Sequence, residues 1–134
     1  MAHVLGYLSM IAWELGKIDE ARELIEDNLA IQNTLGNKTD IGNMYSTLGW
    51  INLTQGQFKH AELLAQKCTT YYQETGDQAL IAKGFRDLAA PKIFLGQFSE
   101  ADALLEKSIV LFKELGGSAI LFLPMYCWVK RKLI

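Results

Sequence analysis

IGNMYSTLGWINLTQGQFKHAELLAQKCTTYYQETGDQAL, residues 41–80, is followed directly by IAKGFRDLAAPKIFLGQFSEADALLEKSIVLFKELGGSAI, residues 81–120. The two stretches share eleven identities in forty, from Ile41/Ile81 to Ala79/Ala119. Chance at average residue usage would give roughly two or three. The same shift reaches back towards the start of the chain. It superposes Gly16, Gly56 and Gly96, then Ala21, Ala61 and Ala101, then Leu24, Leu64 and Leu104, then Gly36, Gly76 and Gly116. Self-similarity at a fixed period of this size is the mark of a stacked array. Three copies, about 1–40, 41–80 and 81–120, and a partial fourth fill the 134 residues as a single repeat domain.

Each copy reads as two helices. Phe58, Ala61, Leu64, Ala65, Cys68 and Tyr72 recur at three- and four-residue steps, which is one face of a helix, and Ile41, Tyr45, Leu48 and Ile51 do the same before them. Gly56 falls between the two runs and Gly36, Gly76 and Gly116 after the second, where a left-handed residue ends a helix. Ser99 is placed to cap a helix, and Asp19, Glu20, Glu100 and Asp102 put negative charge near helix starts. The spacing predicts helices near 2–15, 18–35, 40–55, 58–75, 78–95, 98–115 and 118–132, no strand, and a kink at Pro91 in the middle of one of them. The class is all-α: a right-handed solenoid of antiparallel helix pairs.

Composition excludes more than it selects. Half of the residues are apolar and 21% are charged, the balance of a folded domain. Thirteen Lys and Arg stand against fifteen Asp and Glu, and a net charge of −2 leaves no electrostatic footprint for a phosphate backbone, so nucleic acid is excluded as a main partner. Cys68 and Cys127 are too few for a disulfide framework, and His3 and His60 offer little for a metal site; no cofactor is expected. The first residues lack a basic leader before an apolar core, so a cytoplasmic location is expected, and the sequons at Asn37 and Asn52 read as chance. The apolar run from Ala119 to Val129 is too short to span a bilayer.

The register resembles the tetratricopeptide repeat: a large residue, Leu-Gly, Gly-x-aromatic, then Ala. Copy two carries it as Tyr45, Leu48-Gly49, Gly56, Phe58 and Ala61; copy three as Phe85, Leu88-Ala89, Gly96, Phe98 and Ala101; copy one as Leu5, Leu8-Ser9, Gly16, Ile18 and Ala21. Two features depart from the family. The period is forty residues against the usual 34, and Asn33, Gln73 and Lys113 stand where the family has a proline. Long repeats of this kind are similar to those in the regulatory arms of bacterial signalling ATPases and transcription activators, and in kinesin light chains. The resemblance implies a protein-interaction scaffold whose first helices line a groove for a peptide or a helix. Carried over column by column, that groove holds His3, Gly6, Met10 and Trp13, then Asn43, Ser46, Trp50 and Leu53, then Lys83, Arg86, Ala90 and Ile93, and last Leu123, Tyr126 and Lys130. Met10, Trp13, Asn43, Ser46, Trp50, Lys83 and Arg86 are the candidate partner contacts. Asn43, Lys83 and Arg86 are similar in part to the clamp by which some members grip a carboxylate. His3 and Gly6 do not match it, and Arg86 stands three rather than four residues after Lys83.

No constellation of residues suggests catalysis. Gly36-Asn37-Lys38-Thr39 lacks the glycines a phosphate loop needs and reads as a helix–helix turn. His60 and Cys68 have no orienting partner at a fixed step, which leaves Cys68 for the core and His60 for the surface. Asp19, Glu20, Glu23, Glu26 and Asp27 read as a solvated helix face. The segment after Gly117 is apolar nearly all round, with Phe122, Tyr126 and Trp128 prominent and Lys130, Arg131 and Lys132 behind them. Such a surface predicts a longer array, a homo-oligomer through this segment, or, last in order, contact with a membrane surface.

Overall fold

The computed structural model describes residues 16–116, which form five α-helices. They are α1 (Ile18–Leu35), α2 (Lys38–Thr54), α3 (Phe58–Thr75), α4 (Gln78–Phe94) and α5 (Phe98–Glu114). Copies two and three each contribute a complete pair, α2–α3 and α4–α5, and copy one contributes its second helix, α1. Starts at Ile18, Phe58 and Phe98, and at Lys38 and Gln78, repeat every forty residues. Among the described residues there is no strand. Met10, Trp13, Phe122, Tyr126 and Trp128 lie outside the described residues, as do the expected first and last helices.

Turn chemistry sets the boundaries. Gly36 and Gly76 take φ of 74° and 73° at the C-caps of α1 and α3, and each amide bonds back to the final turn. A side chain there would strain against the preceding carbonyl, so glycine closes the helix at lowest cost. The side chains of Asn37 and Asp77 cap the helices that follow, accepting from the amide of Asp40 and from those of Ala79 and Leu80. The Asn37 cap starts α2 at Lys38, two residues before the expected position, and makes Gly36–Thr39 a helix–helix turn. Ser99 does not cap α5. The cap position falls on Gln97, without a side-chain bond, and Ser99 lies inside the first turn.

The core follows the repeat columns. Ala21, Ala61 and Ala101 are at most 1% exposed. Their small side chains let paired helices approach closely: an added Cβ at Gly49 on α2 would stand 3.6 Å from the Ala61 carbonyl on α3. Ala21, Ile25, Leu48 and Ile51 form one buried cluster between α1 and α2, with Leu64 of α3 against it. Ala89, Ile93, Ala101 and Leu105 form another between α4 and α5. Successive copies approach closely too. Thr69 Oγ1 lies 2.8 Å from the Ala65 carbonyl and 3.0 Å from that of Gly84 on α4.

Polar bonds tie one copy to the next. Arg22 on α1 donates to Asn52 (3.0 Å) on α2 and to Gln55 at the C-cap of α2. Lys92 on α4 donates to Glu62 (3.2 Å) on α3 and to Glu100 (2.8 Å) on α5. The Arg22–Asn52 and Glu62–Lys92 pairs each span thirty residues, from a second helix to the next first helix. Helix α4 runs unbroken from Gln78 to Phe94 through Pro91. The Pro91 ring is buried and lines a cavity of about 10 Å³ with Trp50, Ala61 and Ala65, among others.

Candidate functional site

The groove-lining columns of the first helices fall on α2 and α4, which lie side by side. Ser46 and Trp50 are one turn apart on α2 and share a face. Across from them on α4 stands Asp87, 4% exposed. Its Oδ2 accepts a hydrogen bond from Ser46 Oγ at 2.7 Å, and its Oδ1 accepts from Trp50 Nε1 at 3.2 Å. Arg86 Nη2 donates to the same Oδ1 at 3.3 Å. Hydroxyl, indole and guanidinium therefore converge on one carboxylate, and a buried carboxylate needs that many donors to offset the solvent it has lost.

One turn towards the start of α4, a second polar chain crosses the same face. Tyr72 rises from α3 with its ring fully buried, and its hydroxyl donates to Asn43 Oδ1 on α2. Lys83 Nζ on α4 donates to the Tyr72 oxygen at 3.3 Å and stands 5.6 Å over its ring centroid. Cys68 lies beneath both chains with no solvent exposure. Burial first, then the charge of Asp87, pushes its thiol up to about 12, against smaller opposing contributions from Tyr72, Lys83 and Ser46. Burial likewise raises the Tyr72 phenol, with Cys68 next in effect. A thiol and a phenol so held stay protonated at neutral pH and have no nucleophilic character.

The structure brings together five of the seven candidate contacts: Asn43, Ser46, Trp50, Lys83 and Arg86 share this face. Their roles differ from a simple row of exposed contacts. Ser46 is buried and its hydroxyl is taken by Asp87, so it belongs to the floor. Trp50 is half-buried with its indole N–H bonded across the copy boundary, so it offers a ring edge and face rather than a free donor. Ala90 and Ile93, also carried over as lining, are buried at 2% and 6% and serve the core. His60 is exposed, as are the five acidic residues from Asp19 to Asp27. Among the described residues no cluster of His, Cys, Asp and Glu is arranged to hold a metal ion. Nor, among those residues, is any helix long and apolar enough to cross a membrane.

Sequence reading missed Asp87 and the polar role of Tyr72. A signal for Asp87 exists in the spacing. Ser46 and Trp50 precede it by 41 and 37 residues, one repeat plus one and one repeat minus three. Those offsets place neighbours on adjacent first helices. A carboxylate at such an offset from two donors marks a bridge between copies.

A family model for the tetratricopeptide repeat matches residues 1–74, more than half of the chain. This chain belongs to the tetratricopeptide repeat family. The family is one of protein-interaction scaffolds, generally without enzymatic activity, and that general role extends to this member. No curated protein matches the chain. Among solved structures, BtubC (BKLC) from P. vanneervenii is similar with a TM-score of 0.77 at 20% identity, over 87% of this chain and 48% of that one. A Podosopora anserina chain described as a kinesin light chain with nearly identical TPR-like repeats gives 0.72 at 23% identity, over 84% and 56%. The N-terminal domain of stress-induced protein-1 from C. elegans gives 0.68 at 17% identity, over 83% and 84%. At these identities the likeness is one of fold. The tetratricopeptide repeat chain spans about half the length of the first two neighbours.

Proposed function

We propose that this tetratricopeptide repeat chain binds a segment of another protein, a peptide or a helix, along the face shared by α2 and α4. The observation that carries this reading is the set of hydrogen bonds beneath that face. Trp50, Arg86, Asn43 and Lys83 are each held by a bond to a buried neighbour, so their outward surfaces are fixed before a partner arrives. Pre-ordered side chains lose little entropy on binding, and Trp and Arg are the residue types most often found as interface anchors. The reading includes a cytoplasmic setting, in keeping with a free, buried Cys68.

Capture from a native lysate tests the proposal, with wild type, Trp50→Ala and Arg86→Glu as baits and circular dichroism as the check on folding. The expected result is loss of the captured partner with both variants, each weakened by about 2 kcal/mol or more. Two folded variants that capture the partner as wild type does would move the site to another face.

A further inference from the structure

The cluster around Asp87 has the form of an anion site that is already filled. Three donors from two helices, Ser46 Oγ, Trp50 Nε1 and Arg86 Nη2, occupy both oxygens of one carboxylate. The carboxylate is itself part of the chain and is 4% exposed. Carboxylates and phosphates from outside are bound by this same combination of hydroxyl, ring N–H and guanidinium. Here the ligand is tethered one residue from the guanidinium that pairs with it.

We propose that Asp87 is a specificity-determining residue of the α2–α4 face: it is a built-in ligand that fills a three-donor anion cradle and so selects against partners presenting a carboxylate or phosphate there. This inference rests on the groove reading above and names the chemistry of its partner. An incoming anion would find the donors engaged and would face a negative charge already in place. A neutral or apolar surface over Trp50 meets no such conflict. Lys83, one turn away, differs from Arg86. Its ammonium contacts the Tyr72 hydroxyl and ring, and among the described residues no carboxylate pairs with it. The face therefore admits an acidic group at Lys83 and disfavours one over the Asp87 carboxylate, and that sets the register in which a partner lies.

The cavity of about 10 Å³ lined by Ser46, Trp50, Asp87 and Pro91, among others, adjoins the cradle and suggests a direct test. Asp87→Ala removes a carboxylate group, which formate replaces atom for atom. The measurement uses the full chain with Trp13→Phe and Trp128→Phe, so that Trp50 is the sole tryptophan, and follows its emission and the melting temperature. Sodium formate is titrated against sodium chloride of equal ionic strength. In Asp87→Ala, formate is expected to shift Trp50 emission saturably back towards the wild-type spectrum and to raise the melting temperature, with an affinity roughly tenfold or more above that of wild type. A folded Asp87→Ala that responds to formate no differently than to chloride would overturn the proposal, as would a wild type that responds equally. Should Asp87→Ala fail to fold, Asp87→Asn keeps the shape and removes the charge. Its Trp50 emission is then expected to shift and its melting temperature to fall; wild-type values for both would overturn the proposal. No partner takes part in these measurements, so their failure leaves the capture experiment intact, and failed capture leaves these intact.

Discussion

Gly42 and Gly49 both lie inside α2, and their surroundings call for opposite outcomes on substitution. A Cβ added at Gly42 would stand 2.6 Å from Tyr72 Cε1. The ring cannot retreat, because its hydroxyl is held by Asn43 on one side and Lys83 on the other. Overpacking costs about 1–3 kcal/mol, against a gain of about 1 kcal/mol from helix propensity. Gly42→Ala should therefore lose roughly 1 kcal/mol in urea unfolding. At Gly49 the nearest atom to the added carbon is 3.6 Å away, and copy three carries Ala89 in that column. Gly49→Ala should gain about 0.5–1 kcal/mol. Cys68 supplies a pH prediction. Its thiol is raised from the ordinary 9.0 to about 12, by burial and then by the charge of Asp87. Below pH 9 the folded and unfolded chains both hold the proton, and the thiol contributes nothing to the pH dependence. Between pH 9 and 12 the unfolded chain binds fewer protons than the native one, so stability falls as pH rises. By pH 10.5 the loss should reach about 2 kcal/mol. Cys68→Ala should lack this component, and equal declines in wild type and variant between pH 8 and 10.5 would refute the assignment.

At the scale of helices, the paired crossing is the element on which the fold depends. Ala61 is 1% exposed where α3 meets α2, and Gly49 faces its backbone. Ala61→Leu should force the two helices apart and cost roughly 1–3 kcal/mol; an unchanged melting curve would rule out this register. This crossing was legible in the sequence because a column of Ala21, Ala61 and Ala101 can only be a place where bulk is excluded. The helix ends were legible for a similar reason: Gly36 and Gly76 stand where φ must be positive. Ser99 misled because serine is a good cap in general, while here the first turn begins at Phe98 and leaves the serine inside it. Asp87 was hidden for a different reason. Periodicity reports which residues face the core, and a carboxylate facing a neighbouring copy breaks no apolar pattern until its donors are placed in space. At Pro91 local chemistry predicts a kink; α4 continues through the residue as one helix, with the ring buried.

Across the described array, Lys83 and Lys107 stand in different settings, and this separates a specific face from general attraction. Lys83 belongs to the α2–α4 face, above Tyr72. Lys107 belongs to α5, where it stands 5.8 Å from the centroid of the Phe85 ring and lines a shallow recess of about 510 Å³ with Val110 and Leu111, among others. In copy two the corresponding place is closed by Tyr45 and Tyr71, stacked at 5.7 Å, with Lys67 over the Tyr45 ring at 5.5 Å. Lys107 thus continues a structural column, with no counterpart of the Asn43–Tyr72–Lys83 chain around it. Lys83→Glu and Lys107→Glu change net charge equally, so any effect of overall charge on a partner should be the same for both. A partner seated on the α2–α4 face should lose affinity only with Lys83→Glu. That variant should also show a flatter dependence on salt, because the contact it removes is a charge attraction that salt weakens. Affinity for the captured partner, measured for both variants at about 50 and 300 mM salt, decides the matter. Equal losses in the two variants would reduce the attraction to net charge and remove the argument for a built face.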